Sequence, residues 1–531
     1  MTRLLPCREE HKNRNNAPMK SETEVRESGQ DVAARDVAAA GMTTRQAFLR
    51  VFPGVMVAMF LAAADQTILA SALPTIASSL GGLADLSWVV VAYLIAATVA
   101  APLYGHLGDR FGRRRMLLGA LAVFTIASAA CALAQSLLAL ILARALQGLG
   151  GGGLMTLAQA LIGEHVSPRE RGRFSGYFAT VFALASTSGP VLGAYLTEHV
   201  GWRAVFAINL PLGVLAAALA MRVPHPALAA RGRFHPDVIG ATIFCAATVS
   251  LLFALSSAGH RFAWSSPLLF VLLIAAVAGY ALLALWERRA ADPVIPVRFL
   301  KVPAIARSDA VVICFAAALF STVLYLPLYL QLGRGLRIGQ SGVLLLPITL
   351  AMVVTSAIVG QLITRTGRVN IFPQLGLAIA TLAFIMLSVL VSRAPTIAVL
   401  GITVLVGVGL GMVMPPTQVS VQLAAGRESL GVATASISLS RSIGGALGVA
   451  VTGAVLFATL GDSGGSLSAL LQEVIEGGST SIGGLSVEQR AQFVTHLDAA
   501  YRVAFALLAL ITGAGVILAS TVPKPDWARH G

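Results

Sequence analysis

The sequence predicts an all-α integral membrane protein, and three observations carry that prediction. The chain has 531 residues, of which 56% are hydrophobic and only 12% are charged, whereas soluble chains contain about 45–50% apolar and about 25% charged residues. The apolar residues form fourteen runs of about twenty residues, the length that crosses a hydrocarbon core of ~30 Å. Lys and Arg cluster on alternate connections between these runs.

Each apolar run is predicted to be a helix, because backbone groups surrounded by lipid must satisfy their own hydrogen bonds. The apolar content is too continuous for the alternating pattern of a membrane β-barrel. The fourteen predicted spans, numbered in chain order, cover residues 52–76, 87–105, 116–134, 137–162, 174–197, 202–221, 237–258, 266–286, 308–331, 341–363, 371–391, 397–420, 430–459 and 500–521.

The distribution of positive charge predicts the orientation of the spans. Both terminal tails and the loops on their side carry 29 of the 38 Lys and Arg residues, and the opposite loops carry six. Since cytoplasmic loops are enriched in Lys and Arg, both termini are predicted to be cytoplasmic. The net charge of +14 is therefore interpreted mainly as a topology signal, and no nucleic-acid partner is expected. Residues 1–47 lack the pattern of a cleaved signal peptide and are predicted to be a disordered tail.

An internal echo indicates a duplication. The stretch GHLGDRFGRRR at 105–115 recurs in part as GQLITRTGR at 360–368, and one offset of 255 also matches three later glycines in both copies. Because eight spans separate the copies, both face the same side, as in a parallel repeat. The predicted division is a tail at 1–47, an N-terminal six-helix bundle at 48–222, two inserted helices with flanking loops at 223–307, a C-terminal six-helix bundle at 308–521 with an external loop at 460–499, and a cytoplasmic tail at 522–531. Short amphipathic helices are expected in that external loop, at 468–477 and 486–501.

Several motifs resemble those of the major facilitator superfamily. GHLGDRFGRRR resembles its loop motif, RALQGLGGG from Arg144 its fourth-helix motif, and GPVLGAYL from Gly189 its antiporter motif. DQTILASALPTIA from Asp65 and the later GWRAVFAINLPLG are similar to the fourteen-helix drug:proton antiporter branch. The antiporter motif usually has further glycines near Ala185 and at Ala194, so this chain departs from it there. The resemblance implies a major facilitator fold with a 6 + 2 + 6 arrangement and multidrug efflux.

Asp65 and Arg144 are the predicted proton-coupling residues. Asp65 lies about 20 Å into span 1 from the cytoplasm and Arg144 about 10 Å into span 4 from outside, so the two share one level. Charge at such depth is costly. Burial raises the pKa of a carboxyl group and a nearby guanidinium lowers it, so a site that alternates between these influences can load and release a proton. The alternative is a fixed ion pair, or an Arg solvated in a wet cavity.

Four further residues are candidates for the substrate cavity. Gln66, Gln147 and Asn209 are polar positions at comparable depth, and each has the alternative of a plain interhelical hydrogen bond. Arg441, about 16 Å from the cytoplasmic end of span 13, either faces the cavity and binds an anion or pairs with a distant residue. Asp309 is interpreted as an interfacial charge.

The basic loop after span 2 is predicted to be a conformational latch, formed by Gly105, Asp109, Arg110, Gly112 and Arg113. Its glycines allow close helix approach, and a carboxylate is favoured near a helix N-terminus. The resemblance implies that this loop fastens the cytoplasmic ends of spans 2 and 13 together when the transporter opens outward. A loop that only sets topology is the alternative. In the echo, a threonine replaces the aspartate.

Span 5 contains a predicted hinge at Gly189, Pro190 and Gly193. Proline removes one helical hydrogen bond and kinks the helix, which is compatible with a gating hinge or with a static packing kink. The resemblance favours the hinge.

The predicted function is a proton-coupled antiporter that exports lipophilic small molecules or drugs across the cytoplasmic membrane by alternating access. The alternative is an exporter of one specific metabolite on the same fold. A membrane enzyme is disfavoured because the sequence shows no cluster of metal-ligand residues. ATP-driven pumping is disfavoured because the sequence contains no phosphate-binding GxxxxGK[ST] loop. We expect no cofactor and no metal, a monomer in the cell (inner) membrane, and small-molecule substrate, protons and lipid as partners.

Overall fold

The computed structural model describes residues 44–80, 88–165, 177–178, 181, 184–185, 188–189, 192–193, 195–222, 237–258, 262, 265–290, 301–336, 344–426, 429–461 and 487–523. Every element named within them is an α-helix. The tail predicted at 1–47 and the loop helix predicted at 468–477 lie almost wholly or wholly outside this part of the chain.

Fifteen helices are numbered here in chain order. They are α1 Thr44–Leu80, α2 Trp88–Phe111, α3 Arg113–Ala132, α4 Leu137–His165, α5 Ala204–Ala207, α6 Asn209–Ala220, α7 Val238–Ser257, α8 Pro267–Trp286, α9 Pro303–Leu332, α10 Leu346–Thr366, α11 Ile371–Leu390, α12 Thr396–Gly411, α13 Met414–Ala425, α14 Leu430–Gly461 and α15 Val487–Thr521.

Twelve helical segments in the described residues are long and apolar enough to cross a membrane, with α12 and α13 counted as one segment. A shorter apolar stretch, Ala204–Ala220, corresponds to predicted span 6. Predicted span 5 is described only in part, and its described residues between 177 and 199 are helical. The chain is thus a multi-pass membrane protein, and the full count of fourteen spans stays a prediction.

Proline explains both interruptions inside these helices. Pro211 has no N–H to donate to the carbonyl of Ala207, where α5 ends, although Ile208 keeps helical dihedral angles. Pro415 likewise leaves the carbonyl of Gly411 without its helical donor at the end of α12. The Ser356 hydroxyl of α10 donates to that Gly411 oxygen at 2.7 Å. A neighbouring helix therefore satisfies the freed carbonyl, as lipid surroundings require.

The two largest apolar cores of the described residues lie in different groups of helices. One contains buried residues between positions 55 and 220, and the other contains buried residues between 311 and 519. The intervening helices α7 and α8 pack against each other, and α7 also packs against α2 of the first group and α14 of the second. α7 therefore lies where the two groups meet. The predicted domain limits at 222/223 and 307/308 stay predictions.

Each of the echoed loops contains a glycine with positive φ. Gly112, between α2 and α3, has φ 95°, and Gly367, after α10, has φ 67°. Residues other than glycine rarely adopt these angles. The offset of 255 thus pairs two glycines that each end a helix with positive φ.

The segment expected as a separate surface helix at 486–501 is instead the first part of α15. This long helix runs from Val487 to Thr521 without a break. Phe493, Leu497 and Tyr501 recur at helical spacing and are buried in the second core, and Tyr329 donates to Asp498 at 2.8 Å. The expectation was wrong because these apolar side chains face α9 and α11 rather than the membrane surface.

Close helix contact gives the first testable prediction. A Cβ atom at Gly448 of α14 would lie 2.4 Å from the Cα atom of Ala317 in α9, whereas one at Gly119 of α3 would meet nothing within 4 Å. We expect Gly448→Ala to destabilise the protein by ~1–3 kcal/mol through overpacking. Gly119→Ala, the matched control, should be neutral or slightly stabilising because alanine favours the helix.

Thermal unfolding in detergent measures both variants. An unfolding temperature for Gly448→Ala equal to that of Gly119→Ala would contradict the proposed backbone contact between α9 and α14.

Candidate functional site

A buried ion pair joins α1 to α4. The Asp65 carboxylate accepts a hydrogen bond from Arg144 at 2.5 Å, and each residue is only 1% exposed. The two side chains were expected at one level in the membrane, and the structure brings them into direct contact. Because an isolated charge in an apolar interior is very costly, each one requires the other.

Three amide and hydroxyl side chains complete the Asp65 environment. Gln147 and Asn209 donate to one carboxylate oxygen at 2.8 and 2.9 Å, while Arg144 donates to the other. Gln147 also donates to the Ser128 hydroxyl at 2.7 Å. Since N–H groups donate to both carboxylate oxygens, the geometry fits an ionised carboxylate, which only accepts hydrogen bonds.

The Arg144 guanidinium is enclosed by backbone and aromatic groups. Its Nε donates to the Val89 carbonyl at 3.1 Å, and its Cζ lies 4.4 Å from the ring centre of Tyr93 and 5.8 Å from that of Phe206. Gln66 hydrogen-bonds the Tyr93 side chain. Tyr93 therefore contacts both Arg144 and Gln66, the residue next to Asp65.

A cavity of about 280 Å³ lies beside this pair. Its described lining comes from α1, α2, α4, α9 and α14, and from α7 with Ala258 just beyond its end. It extends along α14 from Ser438 to Ala454, which is about 24 Å of helix. Among the sequence candidates, Gln66 and Arg441 line it. Asp65 and Arg144 are covered in this conformation and do not.

Two of the residues predicted for the cavity lie in the ion-pair network instead. Gln147 and Asn209 are 0% and 3% exposed, and their amides are used by Asp65 and Ser128. The structure therefore assigns them to the ion-pair network and not to the cavity lining. The helix rotation that decides this cannot be read from spacing alone.

Asp309 is also placed differently from expectation. It is 8% exposed and lies between α9 and α14, where the Ser436 hydroxyl donates to it at 3.4 Å. Arg307 points elsewhere and donates to the Thr521 carbonyl. The interpretation of Asp309 as an interfacial charge was wrong, because its side chain faces α14.

The predicted latch residues meet α14 at its N-terminus. The Asp109 carboxylate accepts from the backbone N–H of Gly431 at 3.0 Å and from that of Val432 at 3.2 Å. Arg113 donates to the same carboxylate at 2.6 Å and contacts Glu164 of α4 at 3.0 Å. The first N–H groups of a helix have no helical acceptor, so the carboxylate satisfies them and complements the helix dipole.

The backbones of α2 and α14 approach closely at this point. A Cβ atom at Gly105 would lie 2.6 Å from the Gly431 carbonyl oxygen, so only glycine fits. Nearby, Gln418 of α13 donates to Gln159 of α4 at 3.1 Å. The two helix groups are thus joined at their predicted cytoplasmic ends, and the cavity lies further along α14, from Ser438 to Ala454.

The other latch candidates lie on the same turn. Arg110, which follows Asp109 in α2, is half-buried. Gly112 has the positive φ with which the chain turns into α3.

The predicted hinge is described in part. A Cβ atom at Gly189 would meet the Thr67 hydroxyl oxygen at 2.1 Å, so span 5 packs tightly on α1 there. At its repeat counterpart, Gly444, a Cβ atom would lie 2.5 Å from the Ile313 carbonyl oxygen of α9, so this contact is comparably close. Gly193 is buried and helical, and Pro190 lies outside the described residues.

Comparison with known proteins identifies the family. The Major Facilitator Superfamily matches residues 55–449, about three quarters of the chain. The chain belongs to the major facilitator superfamily. Relatives named as multidrug transporters and efflux pumps support a likeness to the multidrug efflux type.

Three comparisons illustrate the likeness. The multidrug transporter protein MdtP of Bacillus subtilis is 33% identical over 414 residues, covering 77% of this chain and 75% of that protein. An uncharacterized MFS-type transporter of Mycobacterium tuberculosis is 35% identical over 405 residues, covering 76% of this chain but only 59% of its own length. The crystal structure of the human organic anion transporter MFSD10 has a TM-score of 0.58 at 17% identity, covering 87% of this chain and 99% of that one; at this identity it shows the fold alone.

Sequence reasoning missed several residues of this transporter's site. Ser128 and Tyr93 help to enclose the ion pair, and Gly431 and Val432 supply the backbone donors for Asp109. A polar residue in the middle of apolar span 3 was a signal for Ser128. Gly431 already stood out as the repeat partner of Gly176. Tyr93 had no such signal.

The ion pair gives a double-substitution prediction. Removing one partner of a buried pair strands the other charge, so we expect Asp65→Leu to destabilise this transporter by ~3–5 kcal/mol. Asp65→Leu combined with Arg144→Met should be clearly less destabilised than either single variant. Thermal unfolding of purified protein tests this, and additive losses in the double variant would show that the two charges do not depend on each other.

Proposed function

We propose that this transporter exports lipophilic small molecules or drugs across the cell (inner) membrane in exchange for protons, by alternating access. The observation that carries the proposal is the Asp65–Arg144 pair, buried at 1% exposure beside an elongated cavity. The multidrug names of two relatives at 33% and 31% identity support the substrate type.

The charge state of the pair suggests the direction of exchange. With the cytoplasmic ends joined, Asp65 is bound as a carboxylate by Arg144 and two amides. A proton that arrives from the outer side would neutralise Asp65 and release Arg144. The bundle could then open inward, lose the proton to the cytoplasm and re-form the pair. Because a proton moves inward in each cycle, a solute can be driven outward.

Access to Asp65 requires a further movement in this scheme. Gln66 lies in the cavity wall and contacts Tyr93, which covers Arg144. A change in the Tyr93 side chain, driven by solute in the cavity, would open the network to water. Gln66 and Arg441 are the proposed solute contacts from the original candidates, and Gln147 and Asn209 hold the carboxylate in place.

The Asp109 contact is the proposed cytoplasmic latch. It joins α2 of one helix group to α14 of the other through backbone N–H groups, so rocking the two groups apart must break it. Gly105 and Gly112 give the close approach and the turn, while Arg110 and Arg113 supply the basic surroundings. Gly189, Pro190 and Gly193 are the proposed hinge in span 5.

Asp65→Asn tests proton coupling. The amide keeps the size of the side chain but cannot take up and release a proton near neutral pH. In inverted membrane vesicles with an imposed proton gradient, we expect the variant to lose gradient-driven dye or drug accumulation, while binding of the same compound persists.

Asp237→Asn is the matched control for this experiment. Asp237 caps α7 by accepting from the Gly240 N–H at 2.8 Å, and asparagine is an equally good cap, so transport should be unchanged. If Asp65→Asn still accumulates substrate with the gradient, Asp65 is not the coupling residue. A panel of dyes and antibiotics in the same vesicles separates a multidrug exporter from an exporter of one metabolite.

Asp109→Asn tests the latch. The substitution removes the charge that Arg113 and the α14 N-terminus stabilise, so we expect the closed cytoplasmic state to lose population by about fivefold or more. Spin labels at the exposed positions Arg115 and Ala424, after replacement of the four native cysteines, report the distance between the two helix groups.

The matched control variant is taken from the echoed loop of the second repeat. Thr364 stands at the position equivalent to Asp109, and its hydroxyl donates to Gly360 within its own helix at 3.0 Å. Thr364→Ala should leave the distance distribution unchanged. An unchanged distribution in Asp109→Asn as well would refute the latch.

A further inference from the structure

We infer that the cavity selects lipophilic organic anions, with the acidic group of the solute bound at Arg441 and its apolar body directed toward the outer mouth. This inference rests on the proposed function, since it names the substrate class of the same cavity.

The charge of the cavity wall is the first argument. Of the described residues that line the cavity, Arg441 is the one with a charged side chain. No carboxylate or hydrogen-bond acceptor in the described part of the chain pairs with its guanidinium. An unpaired guanidinium in a low-dielectric recess attracts anions and repels cations.

The acidic residues near the cavity do not reverse this charge. Asp65 is neutralised by Arg144 at 2.5 Å and lies behind Gln66 and Tyr93. Asp309 is buried between α9 and α14 and does not contribute to the described lining. A cationic solute would therefore meet Arg441 with no carboxylate beside it to compensate.

Hydrogen-bond donors near Arg441 are the second argument. Thr156 lines the cavity and is 0% exposed, and its hydroxyl has no hydrogen-bond partner in the described residues. A buried hydroxyl without a partner is unfavourable, so a solute acceptor would complete it. Ser438 and Ser442 flank Arg441 on α14 and also line the cavity, where the Ser442 hydroxyl donates to the Ser438 carbonyl at 3.1 Å.

The distribution of polar and apolar groups sets the orientation of the solute. Along α14, Ser438 and Arg441 are the lining residues nearest to the Asp109 contact. The wall above them includes Leu252 and Leu255 of α7 and Phe320 of α9. Such a site fits an amphipathic molecule with a compact carboxylate or sulfonate at one end and an aromatic or aliphatic body at the other.

Binding of a matched probe series tests the inference. The probes 2-naphthaleneacetate, 2-naphthaleneethanol and 2-(2-naphthyl)ethylammonium share one apolar body and differ in charge. Calorimetric titration is done on the full-length protein in phosphatidylcholine nanodiscs, with empty nanodiscs subtracted. We expect the anion to bind at least about tenfold more tightly than the alcohol or the ammonium ion, as for a charge-assisted contact.

Variants identify the responsible residue. Arg441→Gln should weaken the anion about tenfold or more and change the alcohol less than twofold, while Arg441→Lys should keep most of the preference. Thr156→Val should weaken the anion by a smaller factor. The matched control is Arg502→Gln, because Arg502 is exposed on α15 and donates to the Ser388 carbonyl away from the cavity; its probe affinities should equal those of the native protein.

The outcomes separate this inference from the proposed function. Four outcomes would overturn the anion site. They are equal affinity for the three probes, a preference for the ammonium ion, no probe binding, and an anion preference that survives in Arg441→Gln. If the three probes are nevertheless exported alike in vesicles with a proton gradient, the proposed function stands and only the substrate class fails. If Arg441→Gln does not fold, the ranking of probe affinities in the native protein and in Arg441→Lys still tests the anion site.

A lipid could supply the same chemistry. Replacing part of the phosphatidylcholine by phosphatidylglycerol should leave the affinity of the naphthaleneacetate probe unchanged if the natural ligand is a soluble anion. Competition by phosphatidylglycerol that is lost in Arg441→Gln would support the same anion site with a lipid headgroup as its source.

Discussion

The cost of charge in an apolar bundle governs this protein. Asp65 and Arg144 are buried at 1% exposure among helices whose other surfaces are packed or face lipid, so neither charge is stable alone. The structure surrounds them with Gln147, Asn209 and the Val89 carbonyl, which lie at three further positions on α4, α6 and α2. A change in the proton content of one carboxyl group therefore reaches four helices at once.

The same carboxylate chemistry serves a different purpose at the predicted cytoplasmic end. Asp109 accepts hydrogen bonds across the interface from backbone N–H groups at the start of α14. These donors are present in any residue except proline, and their position is fixed by the helix. The contact is therefore directional and depends little on the side chains of α14, which need only be small enough at Gly431 for α2 to approach. In the proposed mechanism, proton binding and closure therefore depend on two acidic residues on different helices.

Much of the fold could be predicted from the sequence because lipid imposes length and hydrogen-bond rules on each span. The depth of Asp65 and Arg144 followed from helical rise, and their contact agrees with it. Helix rotation was not predictable, because apolar residues surround each span on all sides. For that reason Gln147 and Asn209 were assigned to the cavity although they serve the ion pair, and the buried position of Asp309 was missed. The start of α15 was misjudged because the spacing of Phe493, Leu497 and Tyr501 fits a buried helix face and an interfacial one equally well.

The position of α7 has a mechanical consequence. This helix touches α2 and α14, which belong to different halves, and its described contacts there are apolar, with Phe253 stacked on Trp88 at 5.0 Å between ring centres. Apolar contacts have no preferred register, so one surface can glide over another while both stay dry. If the halves tilt as the proposed cycle requires, α7 must slide along at least one of them. It would then separate one side of the solute path from the bilayer during the whole movement, without adding a hydrogen bond that has to be broken.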